Sequence, residues 1–216
     1  MTDVLELFDP EGAFERVEEW LAARGFFQGA GEGRVADLYL GYGLGEPLRR
    51  RTSPAPPEPC ALPVAACAIR PMRYVDNHDN GSRGIQVGSW EPTWSEAEYA
   101  EAVDTVRGAI ERGEVYQVNL VQHLSAPFAG DPVALAPLLA PLVPLHKEPF
   151  SGRGWSVVSA SPELFLARRG GRVRTSPVKG TRPAGRGREL TASAKDAAEH
   201  VMIVDLERND LSRVCE

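Results

Sequence analysis

The chain has little cysteine and no excess of positive charge. Its three cysteines, Cys60, Cys67 and Cys215, are odd in number and match neither a disulfide framework nor a Cys-x-x-Cys metal knuckle. We therefore expect free, buried thiols. The net charge of −6 provides no broad positive field for a phosphate backbone, so we expect no nucleic acid partner.

Long apolar runs are also absent. No stretch approaches the ~20 residues of a membrane-spanning helix, and the N-terminus carries acids where a signal peptide needs basic residues. What is present is an ordinary globular composition, with 43% hydrophobic and 25% charged residues, which is enough to bury a core. We expect a cytoplasmic protein with no membrane partner.

Several catalytic motifs are missing as well. The glycine clusters at 29–33 and 41–45 do not form a nucleotide-binding loop, and none of the four histidines lies in an H-E-x-x-H pattern. There is no G-x-S-x-G nucleophile elbow either. The sequence therefore gives no support to glycine-loop nucleotide binding, to a histidine metal site or to a serine triad.

The first periodic segment predicts an amphipathic helix near the N-terminus. Asp9 is its predicted N-cap, Pro10 occupies the first helical position, and Gly25 lies just past the end. The predicted buried face consists of Phe14, Val17, Trp20 and Leu21.

The second predicted helix begins at a capping box formed by Ser95 and Glu98 and ends at Gly113. Before it, five prolines within residues 49–63 indicate a surface crossing or linker. After it, apolar and polar residues alternate in "EVYQVNLVQHLSAPF", which predicts a strand over residues 114–128.

A β-hairpin and a last helix complete the prediction. Gly170 and Gly171 form the two-residue turn of the hairpin, which brings Glu163 roughly level with Lys179. The helix begins near Ser193 and places Asp196 and Glu199 on one surface. The run after this pair is so apolar that we expect the helix to be deeply packed.

Three residues remain as candidates for chemistry, namely Lys179, Glu163 and Glu199. A lysine becomes a nucleophile when burial or a neighbour lowers its pKa from about 10.4. Each candidate also has an ordinary interpretation: a solvated turn lysine, a carboxylate at the start of a strand, and an acid favoured by the helix dipole.

Four motifs then occur in one order over about half of the chain: "YQVNL", "SASPELFL", "SPVKGTRPAG" and "SAKDAAEHVMIVDLERNDLSRV". In order and spacing they resemble the motifs of the chorismate-utilising enzymes, which include aminodeoxychorismate, anthranilate, isochorismate and salicylate synthases. Within this family, the P-[IV]-x-G-T motif typically has lysine at x in the aminodeoxychorismate enzymes and alanine in the others. This chain has Lys179 at that position.

The resemblance implies roles for six residues. Lys179 would be a nucleophile that attacks C2 of chorismate, and Glu163 a general acid and base. Gly180 and Thr181 would contact the substrate. On the last helix, Glu199 would bind Mg²⁺, with Asp196 as a second acid.

The resemblance also implies a fold and a partner. The family has a large α+β domain in which two mainly antiparallel sheets pack together with helices outside. On this basis residues 1–90 are a weakly matched N-terminal part, and residues 91–216 are the first part of the chorismate-binding domain. Family members are much longer, so we expect an incomplete fold and an inactive isolated chain. A glutamine amidotransferase subunit would supply ammonia to the whole enzyme.

Two alternatives remain open at this point. Anthranilate synthase component I would add ammonia at C2 of chorismate and eliminate pyruvate, a route that Lys179 disfavours. The other alternative is a non-catalytic fragment that is inactive or acts as a binding module.

Overall fold

The computed structural model describes residues 3–28, 32–48, 60–72 and 84–216. Within these ranges the chain forms five α-helices: α1 Ala13–Ala23, α2 Glu96–Glu111, α3 Ala136–Leu139, α4 Gly187–Thr191 and α5 Ala194–Leu211. Short 3₁₀ helices cover Tyr42–Leu48, Pro132–Leu135 and Ala140–Leu142. Among the helices described, none has the length and apolar character that crossing a membrane requires.

The same ranges contain eleven β-strands: β1 Val4–Leu7, β2 Arg34–Leu40, β3 Ala65–Pro71, β4 Gln86–Val87, β5 Glu91–Pro92, β6 Leu124–Ser125, β7 Phe128–Ala129, β8 Phe150–Gly152, β9 Trp155–Val157, β10 Leu164–Arg169 and β11 Arg172–Ser176. They form one three-stranded sheet, in the order β1-β3-β2, and four two-stranded sheets. All the strand pairs are antiparallel. The α+β class is confirmed, in small sheets where two larger ones were expected.

The chain divides into two compact units. The first consists of Met1–Ala134 and Phe150–Val157, and the second of Leu135–Pro149 and Val158–Glu216. All six residues predicted to form the functional site lie in the second unit.

The first unit has an apolar core between α1 and the three-stranded sheet, made of Leu7, Ala13, Val17, Leu21, Ala65 and Cys67. The predicted helix face is right at Val17 and Leu21, but Phe14 is 62% exposed. The helix also begins later than predicted, with Gly12 at the N-cap. The reason is local, since the Asp9 side chain accepts a hydrogen bond from the Glu11 backbone N–H in a turn that precedes the helix.

The cysteines are free, as expected, but only one of the three is buried. Cys60 and Cys215 are exposed, which corrects the prediction of buried thiols. Burial raises the pKa of the Cys67 thiol to about 11, and the nearby charge of Asp37 adds to this effect. Cys67 therefore stays protonated at neutral pH and serves as a small apolar side chain in the core.

A buried carboxylate links β1 to the β8–β9 hairpin within the first unit. The Glu6 side chain is 6% exposed. It accepts hydrogen bonds from the Trp155 indole N–H (2.5 Å), the Arg153 backbone N–H (3.0 Å) and the Arg153 Nε (3.2 Å). Burial by itself raises the pKa of Glu6, but these hydrogen bonds outweigh it and hold the pKa below its ordinary value of 4.5.

Acid is therefore expected to weaken the first unit through Glu6. Because its pKa in the folded state lies below 4.5, its contribution to stability is complete above that pH and is lost as the pH falls through the folded-state value. We expect Glu6→Gln to lower the free energy of unfolding at neutral pH and to flatten its decline under acid conditions. Denaturant titrations at several pH values, followed by tryptophan fluorescence, measure both effects. An identical pH dependence in the two proteins would contradict this role for Glu6.

The capping box at the start of α2 is confirmed. Ser95 Oγ accepts from the Glu98 backbone N–H, and the Glu98 carboxylate accepts from the Ser95 backbone N–H at 2.8 Å. The strand predicted over residues 114–128 is wrong, because only β6 and β7 form there. The apolar side chains of that segment are largely exposed, with Tyr116 at 62%, so alternation alone was not enough to create a paired strand. The predicted linker lies mostly outside the described residues.

Candidate active site in the second unit

The predicted hairpin is present and carries the candidate site at its open end. Strands β10 and β11 pair around Gly170 and Gly171, with Arg169 opposite Arg172, and Gly170 has the positive φ of +58° that this tight turn needs. A register shift between Leu164 and Ala167 bulges the first strand. Glu163 thus precedes β10 on one side of the open end, and the segment containing Lys179 follows β11 on the other.

A hydrogen bond ties the predicted acid to the lysine motif. Glu163 Oε1 accepts from the Val178 backbone N–H at 2.8 Å, and Val178 immediately precedes Lys179 in the chain. The Glu163 backbone N–H in turn donates to Ser161 Oγ at 3.3 Å. In the part of the chain that the structure describes, no hydrogen bond is made by Glu163 Oε2. One oxygen therefore holds the strand ends together, and the other is available to a ligand.

The Lys179 side chain is neither fully exposed nor paired. The residue is of intermediate burial, and its ammonium makes no hydrogen bond or ion pair with the described residues. An amine without a charged neighbour can approach a bound ligand without first breaking an ion pair.

Position 180 requires glycine, both for its backbone conformation and for the space around it. Its φ of +77° lies in the left-handed region. A Cβ at this position would lie 2.7 Å from Leu190 Cδ1 and 2.9 Å from Asp196 Cγ. The backbone after Lys179 therefore packs directly against the first turn of α5.

Gly180→Ala is expected to destabilise the second unit by more than a glycine substitution in the hairpin turn does. Gly170→Ala is the matched control, since Gly170 also has a positive φ but has nothing within 4 Å of an added Cβ. We expect the control to lose about 1–2 kcal/mol of unfolding free energy, because alanine is strained in the left-handed backbone conformation. Crowding against Leu190 and Asp196 adds roughly 1–3 kcal/mol at Gly180. Denaturant unfolding of the two variants measures the difference, and equal losses would refute the close packing.

The first turn of α5 begins at Ser193, whose hydroxyl accepts from the Asp196 backbone N–H at 3.2 Å. Arg182 Nη2 donates to Asp196 Oδ2 at 2.8 Å, and Arg182 Nη1 donates to the Thr181 carbonyl at the same distance. The Thr181 side chain is exposed. Sequence reasoning missed Arg182 because its partner lies 14 residues away and no periodic pattern connects the two.

Glu199 lies one turn further along α5 than Asp196. Its side chain is 45% exposed, and Oε1 lies 3.7 Å from Lys195 Nζ in a loose surface pair. Since magnesium is commonly held by one or two carboxylates with water and substrate oxygens completing the shell, Glu199 fits such a role. The residues in the described ranges include no group of three or more His, Cys, Asp or Glu side chains arranged to hold a metal ion.

The expected deep packing of α5 is wrong for this chain. The helix has no buried residue, and Val201 is 61% exposed. Apolar residues lie on more than one face of the helix. The described parts of the chain pack against only some of them, so the others remain exposed. A cleft of about 460 Å³ along the helix, lined by Thr175, Pro177, Val204 and Leu211 among others, contains none of the six predicted site residues.

Comparison with known proteins identifies the class to which this hairpin and helix belong. The family model of chorismate binding enzymes matches residues 56–216. The chain is a member of the chorismate binding enzyme family.

Three similar relatives illustrate two different activities among the names. The anthranilate synthase component 1 of Streptomyces coelicolor is 37% identical over 186 residues, which cover 80% of this chain and 33% of that protein. The aminodeoxychorismate synthase component 1 of Klebsiella aerogenes is 36% identical over 140 residues, which cover 59% and 30% of the two chains. The anthranilate synthase component 1 of Thermus thermophilus is 38% identical over 143 residues, covering 62% and 31%. The chain thus spans about a third of the length of these relatives. No solved structure matches it.

Proposed function

We propose that the protein to which these residues belong is an aminodeoxychorismate synthase component I. It would convert chorismate and ammonia to 4-amino-4-deoxychorismate and water, for p-aminobenzoate and folate synthesis. The observation that supports this most is Lys179, an unpaired and half-buried lysine at the discriminating position of the P-V-K-G-T motif. The relative from Klebsiella aerogenes has the proposed name.

In the first proposed step, the neutral Lys179 amine attacks C2 of chorismate. Both ring double bonds shift, the C4–O bond breaks, and the hydroxyl leaves as water with a proton donated by Glu163. The lysine nitrogen loses its extra proton to solvent. Glu163 suits this role because one carboxylate oxygen fixes its position through the Val178 N–H while the other can face the substrate.

In the second step, ammonia attacks C4, both ring double bonds shift back, and the C2–N bond to Lys179 breaks. Glu163, now a carboxylate, accepts a proton from the new amine, and the departing lysine nitrogen takes back a proton from solvent, which regenerates the lysine amine. The step needs no oxidant or reductant. Thr181 and Gly180 would contact the bound substrate from the same segment.

Magnesium would be held by Glu199, and Asp196, one turn earlier on the same helix, would assist the site without binding the ion itself. When bound, the ion would neutralise a substrate carboxylate. Ammonia would come from a glutamine amidotransferase subunit. We further infer that the two packed antiparallel sheets form in the full-length protein. In that protein, residues 1–90 would be an N-terminal part and residues 91–216 the first part of the chorismate-binding domain, and this chain alone would be inactive.

Anthranilate synthase component I is the second candidate, because most of the similar relatives have that name. Its reaction would release pyruvate and would not use Lys179 as a nucleophile. An inactive fragment or binding module is the third candidate.

Product identification separates these candidates. The full gene product containing these residues is mixed with chorismate, magnesium and ammonium, and the products are identified by mass spectrometry. Aminodeoxychorismate is the expected product. Anthranilate with pyruvate would refute the proposal in favour of the second candidate, and the absence of any product would favour the third.

A further inference from the structure

We propose that Arg182 and Asp196 form an anchor that fixes the lysine-bearing segment 178–182 against α5, so that Asp196 acts as a positioning residue for Lys179. The inference rests on the proposed function for its catalytic consequence, but the anchor itself can be tested independently. It assigns to Asp196 a role different from direct metal binding.

The contacts on the two sides of Lys179 carry the inference. Before it, the Val178 N–H is held by Glu163. After it, the backbone of Gly180 lies so close to Asp196 that a Cβ would be 2.9 Å from the Asp196 Cγ and 3.1 Å from its Oδ2. Arg182 closes the arrangement by donating to Asp196. The segment is thus fixed at both ends, while the Lys179 side chain is left unpaired.

Arg182 connects two parts of the molecule at once. Its Nη1 holds the Thr181 carbonyl and its Nη2 holds Asp196, each at 2.8 Å. A lysine has a single ammonium and could not reproduce this fork of donors in the plane of one guanidinium. The carboxylate therefore reaches the backbone of the motif through the arginine.

Burial and local charge make this pair stronger than an ordinary surface ion pair. The Asp196 side chain is 12% exposed and that of Arg182 is 31% exposed, whereas the neighbouring pair of Arg186 and Glu189 is 60% and 47% exposed. Partial removal from water strengthens the attraction between the two charges, because the effective dielectric constant around them is lower. Asp196 also lies in the first turn of α5, at the positive end of the helix dipole.

The first test measures order in the segment without reference to activity. Trypsin cleaves after lysine, so the rate of cleavage between Lys179 and Gly180 reports how often the segment opens. We expect Arg182→Gln and Asp196→Asn each to raise this rate roughly tenfold, because each variant loses one partly exposed, charge-assisted hydrogen bond. The double variant should show no further increase, because either change breaks the same pair.

Glu189→Gln is the matched control, because it removes the more exposed pair with Arg186 nearby and should leave the cleavage rate unchanged. Unchanged cleavage in Arg182→Gln and Asp196→Asn, or increases that multiply in the double variant, would overturn the anchor. Intact folding of each variant is checked by circular dichroism.

The second test separates positioning from metal binding in the full gene product. If Asp196 positions Lys179, Arg182→Gln and Asp196→Asn should each lower kcat about 10- to 100-fold, because a misplaced reacting group usually costs that much. The KM for chorismate and the magnesium concentration that gives half-maximal rate should change little. Asp196→Glu should recover part of the loss. A higher magnesium requirement in Asp196→Asn but not in Arg182→Gln would show a metal ligand and refute the inference. Anthranilate as the parent's product would refute the proposed function, while the proteolysis result for the anchor would stand by itself.

Discussion

Lys179→Ala is expected to abolish aminodeoxychorismate formation in the full gene product, with a loss of roughly a thousandfold or more in kcat. The physical reason is that the proposed route passes through a covalent bond from the lysine nitrogen to C2, and alanine has no atom to form it. Ammonia could still bind, but it would have to displace the hydroxyl directly. Chorismate binding should fall less than turnover, because Glu163, Thr181 and the rest of the segment remain in place.

The measurement is product formation by mass spectrometry, with Arg172→Ala as the control. Arg172 is an exposed cation on β11, in the same hairpin, so its removal makes the same change in net charge away from the site. The control should turn over like the parent. If Lys179→Ala retained aminodeoxychorismate synthesis, the lysine would not be the nucleophile, and Lys179 would be a solvated turn residue.

Glu163→Gln is expected to lower kcat about 10²- to 10⁴-fold while leaving the fold intact, since the general acid and base is lost. The amide oxygen of glutamine can still accept the hydrogen bond that Val178 donates at 2.8 Å, so the strand ends should stay together. The substitution therefore separates proton transfer from the structural role of the same side chain.

Glu163→Ala is the companion variant, because it removes both roles. We expect it to be as inactive as Glu163→Gln and also less stable, by about 1 kcal/mol for the lost hydrogen bond. Rates in single turnover and denaturant midpoints are measured on both. If Glu163→Gln kept normal turnover while Glu163→Ala lost it, Glu163 would serve only to hold Val178.

Elements defined by neighbouring residues were predicted well. The capping box of Ser95 and Glu98 involves residues three apart, and the turn at Gly170 and Gly171 sets the hairpin around it. The family resemblance rests on such short motifs in a particular order, and the fold class was implied by that resemblance. The predictions were wrong where an element needs a pairing partner that is distant in the sequence, as for the strand expected over residues 114–128.

In the candidate site, too, the residue types could be predicted from the sequence but the contacts between distant residues could not. Residue types and motif order single out Lys179, Glu163 and Glu199 without any coordinates. The bulge in β10 and the reach of Glu163 to the Val178 backbone depend on strand pairing and could not be read from the sequence. The link from Arg182 to Asp196 depends on where α5 begins relative to the hairpin.

By itself, the sequence determined the chemistry available to this protein: a lysine in P-V-K-G-T, an acid before the hairpin and two acids on one helix face. These features can be identified without coordinates because side-chain chemistry and short-range backbone preferences are properties of neighbouring residues. Only the tertiary structure decided which acid touches which part of the lysine segment, and which apolar faces are covered. Contacts between residues far apart in the chain depend on the summed packing of whole elements, and no short pattern of residues encodes that sum.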